Sequence, residues 1–277
     1  MRKPTFSPTR INAYLDCATL YRYLYLDRIG KFYMRSRPGF SFGSSLHRVL
    51  QEFHQNGAHA DSHEMLADLE SYWISAGYES AESEQEHQRQ AKEIVSAYHR
   101  DFAALQEEYA GGIETIATEK TIRFDMGRFV LSGRVDRIDR YPNGMLEVVD
   151  YKSGRTDVSA EDVAASLAMN CYQLVLQKLY PGSAVRGTIY CLRSGARASY
   201  SLVGAAFADF EAEITEIVYQ ILDRDFEGVR PIKIDLCDTC DFVSRCRSYW
   251  RQEARELAAR TEMGPESDVD REREYDD

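Results

Sequence analysis

Gly133-Arg-Val-Asp136-Arg-Ile-Asp139-Arg-Tyr-Pro-Asn-Gly144-Met-Leu-Glu147-Val-Val-Asp150-Tyr-Lys152 is the stretch whose reading decides the fold. The runs flanking Tyr141-Pro-Asn-Gly144, from Phe129 to Asp139 and from Met145 to Tyr151, are short and rich in β-branched residues, and Pro-Asn-Gly is turn chemistry. The pattern predicts two antiparallel strands joined by a hairpin. Side chains alternate faces along a strand, so Asp150 and Lys152 point one way and Tyr151 the other. The same parity turns Glu147 away from Asp150 and Asp139 away from Asp136.

Two carboxylates and a lysine at adjacent strand ends suit a particular chemistry. A phosphodiester's own charge repels nucleophiles, so its hydrolysis calls for a hard divalent cation, held by carboxylates, to neutralise oxygens and activate water. Asp136 and Asp150 can supply those oxygens, while Lys152 can position the water and stabilise charge on the phosphate. Taken alone, Asp-X-Lys reads as a same-face salt bridge on an exposed strand; its surroundings decide between the two.

Outward from the hairpin, Ser7 as N-cap and Pro8 at the first helical position predict a helix to about Leu26 that presents Cys17. After a loop to Gly39, Leu46, Val49, Leu50 and Phe53 give helical periodicity to a second helix from about Gly43, which carries His47. Helices over 61–75 and 82–109 complete a helical part at about 43–110. Strands over 114–124, 129–139 and 145–151, a helix over 159–180, strands over 185–192 and 198–202, and a helix over 206–225 make an α/β core at about 112–225. One domain over 1–260 is expected, with the segment 237–246 docking on the first helix, followed by an acidic, disordered tail over 261–277.

Cysteine spacing is the second strong signal. Cys237-Asp-Thr-Cys240-Asp-Phe-Val-Ser-Arg-Cys246 sets three thiols close together, and Cys17 stands alone near the other end. Cys-x2-Cys lets two thiolates reach one metal centre from a single turn, and Cys17 is the natural fourth ligand. Iron–sulfur, structural zinc and a set of unrelated reduced cysteines all satisfy this spacing. Cys171 and Cys191 have apolar neighbours and read as small buried hydrophobes.

The 277 residues carry a net charge of −11 with 44% hydrophobic residues, enough to bury a large core. Residues 262–277 hold eight acids against Arg271 and Arg273, so this tail carries −6 of that charge. Basic residues gather instead at Arg22, Arg28, Lys31, Arg35, Arg37 and Arg48, beside His47, where a local positive groove suffices to hold phosphates. Phe32 and Tyr33 in that stretch are candidates to stack on unpaired bases, whereas Tyr21 to Tyr25 read as core. No apolar run reaches about 18 residues and no leader precedes the first helix, so a cytoplasmic location without a membrane span is expected.

Gly133-Arg-Val-Asp136 followed by Val149-Asp150-Tyr-Lys152 resembles the PD-(D/E)XK nuclease superfamily, and specifically its RecB-like branch. Ser7-Pro-Thr-Arg-Ile-Asn-Ala-Tyr-Leu-Asp-Cys17 is similar to that branch's opening helix, Gly43-Ser-Ser-Leu-His47 to its histidine motif, and the closing cysteines to its cluster ligands. The resemblance implies a restriction-endonuclease-like mixed sheet flanked by helices, with Mg2+ or Mn2+ held by His47, Asp136, Asp150 and the Tyr151 backbone carbonyl, and Lys152 assisting water attack. It implies a 4Fe-4S cluster on Cys17, Cys237, Cys240 and Cys246, with a structural role. Substrate contacts are expected from Tyr172, Arg35 and Arg37. The branch's glutamine upstream of the tyrosine is absent, which leaves Asn170 or Gln173 to substitute. The implied activity is DNA hydrolysis, with single strands or free ends as substrate, in repair or in CRISPR adaptation, as in CRISPR-associated spacer-processing nucleases and AddB-type nuclease domains. The rival reading is a catalytically silent DNA-end binding module serving a partner nuclease or helicase.

Overall fold

The computed structural model describes residues 3–34, 37–110 and 112–262. In chain order the elements are β1 (Thr5–Phe6), α1 (Pro8–Asp16), α2 (Ala18–Tyr21) with a π-helical turn at Arg22–Leu26, α3 (Gly30–Tyr33), α4 (Pro38–Gln55), α5 (Ser62–Tyr72) and α6 (Ala81–Glu108). There follow β2 (Glu114–Asp125), β3 (Val130–Arg140), β4 (Leu146–Lys152), α7 (Ala160–Ala165), α8 (Leu167–Leu179), β5 (Val185–Cys191), β6 (Arg197–Tyr200), α9 (Gly204–Asp223), a 3-10 turn at Asp235–Asp238, and α10 (Val243–Glu262). No helix among the described residues is long and apolar enough to cross a membrane.

The chain forms two compact units: Met1–Leu15 with Ser36–Arg224, and Asp16–Arg35 with Asp225–Asp277. The larger unit is built on a mixed sheet in the order β1-β3-β4-β5-β6, with β2 also paired to β3. The predicted hairpin is present, Arg137 to Arg140 pairing antiparallel with Val149 to Leu146. β4 then runs parallel to β5, and β5 antiparallel to β6. This is the restriction-endonuclease-like arrangement of a mixed sheet flanked by helices.

Phe42, Leu46, Val49, Leu50 and Phe53 recur at helical spacing along α4 and pack with residues of α5 and α6 against Val149, Tyr151, Tyr190 and Leu192 of the sheet. The alternation of β4 thus sends Tyr151 into this core and leaves Asp150 and Lys152 on the opposite face. α8 packs on β3 and β5. In the smaller unit, Tyr23 and Tyr33 both pack on Phe242, Tyr21 stacks on Phe226, and the Trp250 indole N–H donates to the Pro231 carbonyl at 2.8 Å.

Several boundaries differ from expectation. The first helix does not run unbroken to Leu26: Cys17 is extended (φ −165°, ψ 119°) and separates α1 from α2. α4 starts at Pro38 rather than near Gly43, because proline suits the first helical turn and holds the preceding Arg37 extended. The single helix expected over 159–180 is two, divided at Ser166, whose side chain caps α8 through the Met169 amide. The short strand β1, which no pattern announced, pairs parallel with the start of β3. Of the acidic tail, residues 261 and 262 end α10 and the remainder lies outside the described residues.

Candidate active site

The β3–β4 ladder stops at Arg137 opposite Val149. One residue beyond stand Asp136 and Asp150, where the strands part. The Tyr151 amide no longer has a carbonyl across the ladder, and a backbone N–H must still find an acceptor; it donates to Asp136 Oδ2 at 2.7 Å. Lys152 Nζ lies 2.6 Å from Asp150 Oδ2, as the shared face requires. Burial raises the Asp150 pKa, with Lys152 opposing and Asp136 adding to the rise. Burial alone would lower Lys152, but the Asp150 charge outweighs it and the ammonium is stabilised.

α4 brings His47 to this point. Gly43 faces the segment after Lys152, where a Cβ would meet Ser153 Oγ at 2.9 Å and the hydroxyl would have to turn away. His47 Nε2 donates to the Tyr151 carbonyl at 3.2 Å, and Nδ1 lies 3.4 Å from Asp136 Oδ1 and 3.6 Å from Glu119 Oε1. Burial opposes a charged imidazole here, yet the two carboxylates outweigh it and raise the His47 pKa to about 10. Glu119 is the residue the sequence reading missed. It lies within β2 at φ +44°, a left-handed conformation rare for a side-chain-bearing residue, and nothing in Thr118-Glu-Lys120 announces that reversal.

Tyr151, between the two candidate catalytic residues, is anchored at its amide, its carbonyl and its hydroxyl. The hydroxyl is 2.7 Å from that of Tyr98 and accepts from Arg137 at 2.8 Å. Arg137 is buried and ion-paired through Nε with buried Asp139 at 3.0 Å. Glu147 is likewise buried and held by Tyr141, Thr188, Arg186 and Arg197. Both acids therefore serve the packed side of the sheet, as strand parity predicts.

The site opens on a cleft of about 480 Å³ lined along one face of α4 by Phe40, Gly43, Ser44, His47, Arg48 and Gln51, with Glu119, Arg134, Asp136 and Ser153 opposite. Comparison with known proteins places this geometry. The sequence profile described as the PD-(D/E)XK nuclease superfamily matches residues 5–247. The chain belongs to the PD-(D/E)XK nuclease superfamily. No curated protein matches in sequence. Among solved structures, a candidate exonuclease from Eubacterium rectale superposes with a TM-score of 0.50 at 14% identity, covering 88% of this chain and 87% of its own, and so shares the fold. The structure of SSO0001 reaches a TM-score of 0.33 at 14% identity over 85% of this chain and 98% of its own, too low to bear on the argument.

Superfamily nucleases use divalent metals, and the residues here fit one: His47, Glu119 and Asp136 offer ligand atoms all within 4.8 Å of one another. Carboxylate oxygens with one imidazole are a donor set for Mg2+ or Mn2+. Tyr172 is brought to the site. Its ring covers Gly133, and burial, reinforced by the charges of Asp150 and Asp136, raises its pKa so that the phenol keeps its proton. Gln173, expected at the substrate, is not: it is fully buried, and its Oε1 accepts from the Leu202 amide at 2.9 Å, because one residue along a helix turns the side chain by about 100°. Asn170 is also turned inward and donates to the Ala164 carbonyl. Arg37 is exposed at the N-cap of α4, ten residues and about 15 Å of helix from His47. Arg35 lies outside the described residues.

In the smaller unit Cys17, Cys237, Cys240 and Cys246 line one apolar pocket with Leu20, Tyr23, Ile232 and Phe242. All four are free thiols, and burial raises the pKa of Cys240 and of Cys246, with the nearness of the other cysteines adding to the rise. Cys171 and Cys191 are buried in the larger unit.

Proposed function

We propose that this protein is a metal-dependent deoxyribonuclease, hydrolysing phosphodiester bonds at DNA ends as an exonuclease in repair or CRISPR adaptation. The observation that carries the reading is the meeting of His47, Asp136, Asp150 and Lys152 where β3 and β4 part. His47, Asp136 and Asp150 would hold Mg2+ or Mn2+; in the structure the Tyr151 carbonyl faces His47 Nε2, beside that set. A bound cation supplies Lewis acidity to the phosphoryl oxygen and lowers the pKa of water. Lys152, half-exposed and charged beside Asp150, stabilises negative charge as it builds on the phosphate. Tyr172 donates its retained proton to a phosphate oxygen. Arg48 and Arg134 on the cleft walls attract the backbone, and Phe40, 63% exposed at the rim, offers a face to an unpaired base.

The cysteine pocket is read as a 4Fe-4S site that restrains residues 220 apart in the chain. The four cysteines line one pocket, as the ligands of a single cluster must. Anaerobically purified protein should contain four irons and absorb near ~400 nm, and Cys240→Ser should lose both signals.

End-labelled single- and double-stranded DNA with Mg2+ or Mn2+ tests the activity. Metal-dependent cutting abolished in Lys152→Ala and Asp150→Ala supports the nuclease. Intact cluster-loaded protein that binds ends without cutting them would favour the silent binding module.

A further inference from the structure

We infer that Glu119 is a third carboxylate ligand of the cation, completing with His47 and Asp136 a seat that motif spacing alone does not disclose. The inference rests on the nuclease reading above and assigns to its site a residue outside the hairpin motif. Its basis is distance. His47 Nδ1 stands 3.4 Å from Asp136 Oδ1 and 3.6 Å from Glu119 Oε1. These are ion-pair separations, wider than the about 2.9 Å of a close nitrogen-to-oxygen hydrogen bond. Two ligands about 2.1 Å from one ion, subtending 90–110°, stand about 3.0–3.4 Å apart, which is closer to what these three groups keep.

The three donors come from three elements, α4, β2 and β3, so no local turn forces them together. Glu119 joins the triangle from within β2, at φ +44° between Thr118 opposite Arg137 and Lys120 opposite Val135. Its carboxylate is divided: Oε1 faces His47, while Oε2 takes the Arg134 guanidinium Nε at 2.6 Å. Arg134 is mostly exposed and Glu119 mostly shielded, so the arginine competes for one oxygen from the solvent side and leaves the other for the ion. Asp150 lies outside the triangle and pairs with Lys152 through Oδ2, which leaves Oδ1 for the ion. Glu119 thereby supplies the charge a divalent ion needs on the His47 side.

The alternative is that Glu119 only ties down Arg134. Mn2+ binding to the full chain, followed by calorimetry and by the loss of free Mn2+ signal in electron spin resonance, separates the two without requiring turnover. Glu119→Gln should weaken Mn2+ by at least about 10-fold, while Glu119→Asp, which keeps the charge but retracts it, should fall between Gln and native. Arg134→Ala should bind Mn2+ at least as tightly as native. Native affinity in Glu119→Gln, or equal weakening in Glu119→Gln and Arg134→Ala, overturns the assignment and leaves the nuclease reading in place. Native protein that takes up no Mn2+ overturns that reading and this inference together.

Discussion

Replacing Gly133 by alanine should damage stability and catalysis through one contact. A Cβ at Gly133 would lie 2.3 and 2.6 Å from two ring carbons of Tyr172. Ordinary carbon contacts sit at about 3.5–4.0 Å, so the shortfall is roughly 1 Å and either the ring or β3 must move. Overpacking of this kind costs about 1–3 kcal/mol. At roughly 2–4 °C per kcal/mol for a chain of this size, the melting temperature should drop by about 2–12 °C. A ring displaced by about 1 Å also carries the Tyr172 hydroxyl away from the carboxylates, for a loss on the order of 100-fold in cleavage rate. Gly154→Ala is the control from the same motif, since its Cβ would meet nothing within 4 Å. Scanning calorimetry and initial cleavage rates read both effects. A double-mutant cycle with Tyr172→Ala should shrink the stability cost of Gly133→Ala to within about 0.5 kcal/mol. Native stability and rate in Gly133→Ala, or the same cost in both backgrounds, would refute the steric argument.

Arg137→Met strands buried Asp139 without its cation and should cost about 3–5 kcal/mol in urea denaturation, with part recovered on adding Asp139→Asn; an unshifted midpoint would count against the buried pair. His54 is held neutral by burial and by Arg137, well below its ordinary range, while in the unfolded chain it titrates at about 6.5. Below that pH the unfolded state binds a proton the folded state refuses, so stability falls with acidification by up to about 1.4 kcal/mol per pH unit. His54→Gln should flatten that part of the profile, and an unchanged slope would show that the acid limb lies elsewhere. Phe40→Ala, placed in the Lys152→Ala background to prevent cutting, should weaken single-stranded DNA binding by about 1–3 kcal/mol in fluorescence anisotropy; undiminished affinity would remove Phe40 from the substrate path.

The central hairpin was legible because its signals are local: β-branched runs, a Pro-Asn-Gly turn and strict alternation put Asp150 and Lys152 on one face and Tyr151, Asp139 and Glu147 on the other. The cysteine spacing was legible for the same reason, three of the four thiols lying within ten residues. Only tertiary structure decided the rest. Glu119 enters the site by a left-handed residue within a strand, a conformation that sequence neighbours do not encode. Cys17 interrupts the first helix with an extended backbone that helix propensity does not predict. Gln173, one residue from Tyr172, is claimed by a backbone amide 29 residues away, and the Arg137–Asp139 pair behind Tyr151 becomes visible only once three elements close over it. Propensity and periodicity act over a few residues, whereas a site is assembled from side chains whose meeting depends on register, twist and helix approach.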